Sequence, residues 1–287
     1  MSIRTQLARI RKDTRAADVF AKNVWHGDSG VTTSGSGVSW ETAFKTIAEI
    51  LVVAKAGDTI KLRGEFNESG LEIEYQGIKI IGEDESNNHY RTFIYSNAAT
   101  PIFIIKANDV SISNLGIAQQ AADLAIQIGD ASGQAWYKAH IDGVKIDGWS
   151  TCTGGVGFGH ATVDAPDLHI ENCLFRSIAG THIVSNATRG RYNHNILLVS
   201  AANIGIEHVP TTASRPDTII HNNRIFGVNS TDTGIKITNT PDAGTLKAYD
   251  NYIFNCATTI TQKAENVSVQ MNYTNDAAGG VLIDPIA

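Results

Sequence analysis

Between about Asp58 and Thr274 the chain repeats one short unit, and this self-similarity restricts the possible folds more than any other feature. Its clearest copies are LHIENCLF (168 to 175), TIIHNNRIF (218 to 226) and KAYDNYIF (247 to 254). In each, an Asn stands three residues before a Phe: Asn172, Asn223 and Asn251. Weaker copies put Asn114, Gly143, Asn195 and Asn272 at the same place, with successive spacings of 29, 29, 23, 28, 28 and 21 residues. Such a period fits one coil of two or three short strands. Stacked coils lie about 4.8 Å apart, each strand pairing with its equivalents above and below, so equivalent side chains form columns.

The spacing therefore predicts an all-β fold, a right-handed single-stranded parallel β-helix, over residues 58 to 275. Ile112, Ile141 and Ile170 align as one inward column. Each buried Ile contributes on the order of 1.5 to 3 kcal/mol against the entropy of ordering the turns. Asn and Gly suit the sharp corner because both tolerate positive φ, and stacked Asn amides can bond one another. In the same alignment the later coils bring Asn193, His221 and Tyr249 into the inward column. Either the register slips by one residue there, or the cross-section changes.

Three further segments flank the stack. Residues 1 to 22 carry six basic groups against two acidic ones, with Ile3, Leu7 and Ile10 at helical spacing, and read as a basic amphipathic helical arm. Alone such a helix is marginal and must dock on something. Residues 23 to 57 read as a polar loop followed by a capping helix, with Ser39 as N-cap, Phe44, Ile47, Ala48 and Leu51 on one face, and Gly57 as the stop. Residues 276 to 287 form a tail that folds over the last coil or pairs with a neighbouring chain.

Composition agrees with many short strands and turns: 42% hydrophobic residues, 18% charged, and abundant Gly. Cys152, Cys173 and Cys256 lack the number and spacing of a disulfide framework or zinc site, and are expected to be buried thiols. No secretory signal opens the chain and no apolar run approaches membrane-spanning length, so a soluble protein made in a host cytoplasm is expected. Net charge is -6, and the acidic body with a basic arm disfavours nucleic acid as a partner.

The segment WETAFKTIAEILVVAKAGDTIKLRGEFNE (40 to 68), followed by repeated hydrophobic-x-hydrophobic-x-Asn units, resembles the pectate-lyase-like β-helix superfamily. That group includes polysaccharide-degrading enzymes as well as phage tailspikes and head-decoration spikes. The resemblance covers residues 24 to 275 and implies a fold more than an activity. Family catalytic motifs are missing. The nearest match to the lyase Arg-x-Pro-x-x-Arg element, Ser214-Arg-Pro-Asp217, lacks its second Arg. Of the polygalacturonase blocks only Gly159-His160-Ala161 and Gly234-Ile235-Lys236 remain.

One constellation points to chemistry. His140 and His169 share one outward position, Asp142 and Glu171 another, and the same alignment continues them with Tyr192 and His194. Close carboxylates raise one pKa, as a glycosidase acid requires, and two His with two acids can also hold a divalent metal. The competing interpretation is an exposed polar ladder of the kind any β-helix carries. Glu207-His208 reads as a loop pair, and Gly154 to Gly159 lacks the Lys and the strand-helix context of a nucleotide loop.

Resemblance to spike proteins, the separate arm and the missing catalytic motifs together lead to an expectation of a homotrimeric virion spike that decorates or cements a capsid. It would be anchored on the major capsid protein through Arg4, Leu7, Arg9, Ile10, Arg11, Lys12 and Arg15. No cofactor is expected. The alternative is a carbohydrate-active or glycan-binding β-helix working through His140, Asp142, His169 and Glu171.

Overall fold

The computed structural model describes residues 22–83, 92–129, 138–158, 167–185, 189–200, 203–209, 217–228, 231–237, 246–256, 258–261, 267–270, 272–275 and 282–283. Three parallel sheets run the length of a stack of coils. The first contains Ser111–Ser113, His140–Asp142, His169–Glu171, Arg191–Asn193, Ile219–His221 and Leu246–Tyr249, paired in that order. The second contains Thr92–Ser96, Gly116–Gln119, Lys145–Asp147, Leu174–Arg176, Ile196–Val199, Arg224–Gly227 and Tyr252–Phe254. The third runs from Leu71–Ile73 through Gly154–Phe158 to Thr258–Thr261. The long strand Thr59–Asn67 serves two sheets: Thr59 to Leu62 pairs in the first and Gly64 to Asn67 in the second, with Gly64 at φ +93 making the bend.

The core is a set of columns. On the first sheet Ile60, Ile80, Ile112, Ile141, Ile170, Tyr192, Ile220 and Ala248 stack inward; on the second, Ile94, Ile117, Ile146, Phe175, Leu197, Ile225 and Ile253 do so. All of these are buried. Cys152, Cys173 and Cys256 are buried free thiols, and burial lifts the Cys173 thiol to about 12.

The later coils settle the ambiguity in the repeat. Glu171 pairs with Asn193, and Ile170 with Tyr192, so the alignment based on Asn172 and Asn195 is displaced by one residue. Asn114, Gly143 and Asn172 occupy the left-handed corner, and from the next coil onward His194, Asn222 and Asp250 take that place. Asn195, Asn223, Asn251 and Asn272 lie one position further on, in the buried column begun by Leu115, Val144 and Cys173. The slip has a physical cause. In that column each Asn Oδ1 accepts the backbone N–H of the coil before: Cys173 at 3.0 Å, Asn195 at 3.1 Å, Asn223 at 3.1 Å and Asn251 at 3.1 Å. Each Nδ2 donates to a first-sheet carbonyl, of Ile170, Tyr192, Ile220 and Ala248 in turn. The amides also bond one another at 2.8 to 3.0 Å. Buried backbone groups at the corner are thereby satisfied by side chains rather than water.

The lid differs from the sequence expectation. Ser39 precedes only a 3-10 turn, Trp40–Thr42, and makes no side-chain cap bond. The helix, α1, spans Ile47–Val53 and is capped by Thr46, whose hydroxyl accepts from Glu49 N while the Glu49 carboxylate accepts from Thr46 N. Phe44 cannot be helical because its N–H and C=O bond His26 and Asp28 of a strand, Val24–Asp28. That strand pairs in parallel with Thr59 to Arg63, so the stack begins before the lid. Ile47 and Ile50 face the core whereas Ala48 is exposed, and the Glu68 carboxylate accepts the first helical N–H groups. At the far end Leu282–Ile283 pairs antiparallel with Asn272 and Tyr273, so the tail folds back on its own last coil. The arm up to residue 21 lies outside the described residues. Among the described residues no helix is long and apolar enough to cross a membrane.

The polar and apolar columns can be tested separately for their part in stability. Asn223→Ala strips partners from Asn195, Tyr192 and Asn251 at once and should lower stability by about 3 kcal/mol or more, measured as a fall in thermal and urea midpoints. His208 is fully buried in the third sheet, and desolvation pushes its imidazole from 6.5 down to about 4. The unfolded chain therefore binds a proton near pH 6.5 that the folded chain does not. Stability is full above pH 6.5 and should fall by on the order of 3 kcal/mol as pH drops to 4, a slope that His208→Leu should flatten in a pH series of melts.

Candidate functional site

The first sheet presents its outward side chains at every second residue. Parallel pairing of His140–Asp142 with His169–Glu171 sets His140 on His169 and Asp142 on Glu171, as the repeat predicts. Beyond them the one-residue slip changes the neighbours: Arg191 and Asn193, not Tyr192 and His194, continue the two columns. Tyr192 is part of the core.

The closest contact is diagonal. His140 Nε2 lies 2.6 Å from Glu171 Oε1, with the two side chains 42% and 30% exposed. The His140 and His169 rings meet edge to face, their centroids 5.9 Å apart. Each carboxylate also accepts from an amide: Asn172 Nδ2 donates to Asp142 Oδ1 at 2.8 Å, and Asn193 Nδ2 to Glu171 Oε2 at 3.1 Å. One nitrogen of His140 and one oxygen each of Asp142 and Glu171 lie within 4.8 Å of one another, and His169 is not in this set.

Burial works to raise the Glu171 carboxyl, but hydrogen bonds from Asn193 and His140 and the His140 charge outweigh it, so its pKa lies below the ordinary value. A glycosidase general acid needs the opposite shift. Glu171 is therefore not a raised member of the carboxylate pair. His169 is held below its usual pKa by burial, then by His140 and Arg191. Beside the patch lies an open groove of about 580 Å³ bordered by Lys79, Asp109, Lys138, His140, Asp167 and His169.

Other sequence candidates separate. Arg4, Leu7, Arg9, Ile10, Arg11, Lys12 and Arg15 lie outside the described residues, as do Gly159 and His160. Glu207 and His208 are not in a loop. They end the strand Ile204–His208, where Glu207 pairs with Lys236 at 2.8 Å and His208 faces the core. Gly154–Phe158 is a strand of the third sheet, where a Cβ at Gly155 would come within 2.6 Å of Phe175. Its glycines serve packing.

A second cleft, of about 460 Å³, has no counterpart among the sequence candidates. Phe93, Lys145, Asp147, Trp149, Ser150, Arg176 and Ser177 line it on the outward face of the second sheet. Register explains its assembly. Gly116 separates Phe93 from Lys145, and a Cβ there would stand 2.4 Å from the Phe93 ring, so only Gly lets the ring lie over the next coil. Asp147 pairs with Arg176, whose Nε donates to Asp147 Oδ2 at 2.6 Å, while Trp149 N donates to Oδ1 at 3.2 Å. Trp149 itself is 60% exposed and left-handed, at φ +47. The available signal was a lone Trp inside the turn Asp147-Gly-Trp-Ser150, where turn geometry favours small polar residues.

Comparison with solved structures decides the architecture. A pectin methylesterase in complex with hexasaccharide VII superposes with a TM-score of 0.53 at 14% identity, covering 92% of this chain and 86% of that one. This chain is a right-handed parallel β-helix. A point mutant of pectin methylesterase in complex with hexasaccharide IV gives the same TM-score and coverage at 16% identity. At such identities the likeness concerns the β-helix alone. No protein-family model matches the chain, and no curated protein matches it.

Proposed function

We propose that this β-helix protein binds a glycan, and that the sugar lies in the cleft around Trp149. One observation carries the proposal: an indole that is 60% exposed is held in a backbone conformation that L residues disfavour, beside a buried carboxylate paired to an arginine. Both features cost free energy in the absence of a ligand. A pyranose presents an apolar C–H face and a rim of hydroxyls. Trp149 and Phe93 match the face, while Lys145 and Arg176, the latter with 44% of its side chain exposed, offer donors to the rim. Two cations against one carboxylate favour an acidic sugar. The hexasaccharides carried by the two solved β-helices support the class of ligand.

The proposed role is binding, and the His140, Asp142, His169 and Glu171 patch lies outside the residues that line the sugar cleft. Titration of acidic oligosaccharides into the full chain should quench or shift Trp fluorescence. Trp149→Ala should weaken binding about tenfold or more while leaving the far-UV spectrum unchanged. Equal binding by the variant would refute the assignment of the cleft.

A virion spike is the second reading, and an outward apolar stripe favours it. Ile196, Leu198, Phe226, Val228 and Tyr252 are exposed along three successive coils of the second sheet, with the Phe226 and Phe254 rings stacked at 5.2 Å. A stripe parallel to the long axis can meet its copies around a threefold axis in the same direction. Light scattering on the full chain should give a trimer that Leu198→Ser with Phe226→Ser converts to monomer. A monomeric wild type would end this reading, including the capsid anchoring by residues 1 to 22.

A further inference from the structure

The His140 patch is not used by the glycan proposal, and its geometry asks for a different occupant. His140 and Asp142 alternate along one strand, so both point outward, and Glu171 is the parallel partner of Asp142 on the next. One imidazole nitrogen and two carboxylate oxygens thus converge from a backbone fixed by pairing on both sides. We propose that His140 Nε2, one oxygen of Asp142 and one oxygen of Glu171 form a binding site for a divalent transition-metal ion of the Zn²⁺ class.

Distances fit such an ion. Ligand atoms around a tetrahedral Zn²⁺ lie roughly 3.3 Å apart, given bonds of about 2.0 to 2.1 Å. The three atoms here span 2.6 Å, between His140 and Glu171, to a limit of 4.8 Å, which brackets that value. A small opening of the His140–Glu171 pair would make room for the ion. Both carboxylates already have an oxygen held by an amide, Asn172 on Asp142 and Asn193 on Glu171. That is the outer-shell arrangement that orients metal-bound carboxylates. His169 packs against the His140 ring and stays outside the ligand set.

The donor set also selects the ion. One imidazole with two carboxylates favours Zn²⁺, Co²⁺ or Mn²⁺ over Ca²⁺, which takes six to eight oxygens. Three protein ligands leave positions for water, and the partly exposed His140 and Glu171 side chains keep the site open to solvent.

The test is calorimetric titration of the full chain with ZnCl₂, alongside CoCl₂ monitored by its visible absorption. Wild type should bind one Zn²⁺, with Ca²⁺ at least tenfold weaker. His140→Ala and Glu171→Gln should each weaken Zn²⁺ at least tenfold, and Asn193→Ala about tenfold through the outer shell. His26→Ala, which alters an imidazole on the strand Val24–Asp28, away from the cluster, should leave the affinity unchanged within threefold. All these side chains point outward, and unchanged far-UV spectra verify that the variants fold. No Zn²⁺ binding by wild type, Zn²⁺ affinity in Glu171→Gln equal to wild type, or loss on His26→Ala in place of His140→Ala would each overturn the proposal. The outcome is independent of whether Trp149 binds a sugar.

Discussion

Parallel pairing of each short strand with its equivalents in the coils above and below is the interaction on which this structure depends. Strands of three to five residues have little stability alone; pairing on both sides fixes them and stacks their inward side chains into continuous apolar columns. The same pairing arranges the outward faces, so residues 29 positions apart become contacts: Asp147 bonds Arg176, and His140 meets His169. Surface chemistry in such a fold is therefore a matter of register. A shift of one residue exchanges core for solvent along a whole strand.

The buried asparagine column shows how register is held where the apolar pattern weakens. In the early coils Leu115, Val144 and Cys173 fill the position after the corner, and hydrophobic burial suffices. Later, Asn195, Asn223, Asn251 and Asn272 replace them, each amide bonding a backbone N–H, a carbonyl and a neighbouring amide of the column. A polar ladder buried in low dielectric tolerates little displacement, because a one-residue slip would leave every member unsatisfied. Both ends of the stack are closed by the same chain. Helix α1 buries Ile47 and Ile50 at one end, and Leu282–Ile283 pairs at the other.

Two outward faces with different chemistry result. The first sheet gathers imidazoles, carboxylates and amides into a hydrogen-bonded cluster with an ionised Glu171, suited to a cation. The second carries aromatic and apolar groups around one Asp–Arg pair, suited to a ligand or partner with apolar surface. Neither face repeats the catalytic sequence motifs of the enzymes that share the architecture, in keeping with a fold that fixes geometry and leaves chemistry to the exposed columns.

The recurrence of Ile and Asn at a nearly constant spacing was enough to establish the parallel β-helix, its Ile columns and the apposition of His140 with His169 and Asp142 with Glu171. These properties depend on periodicity, which a linear sequence displays directly. What only the tertiary structure decided was non-periodic: the one-residue slip at Asn193, the capture of Phe44 by Val24–Asp28 that delays the lid to Ile47, and the placing of Phe93 and Trp149 around Asp147 and Arg176. The diagonal bond from His140 to Glu171 belongs with them, because rotamers and competing hydrogen bonds determine it and no spacing encodes either.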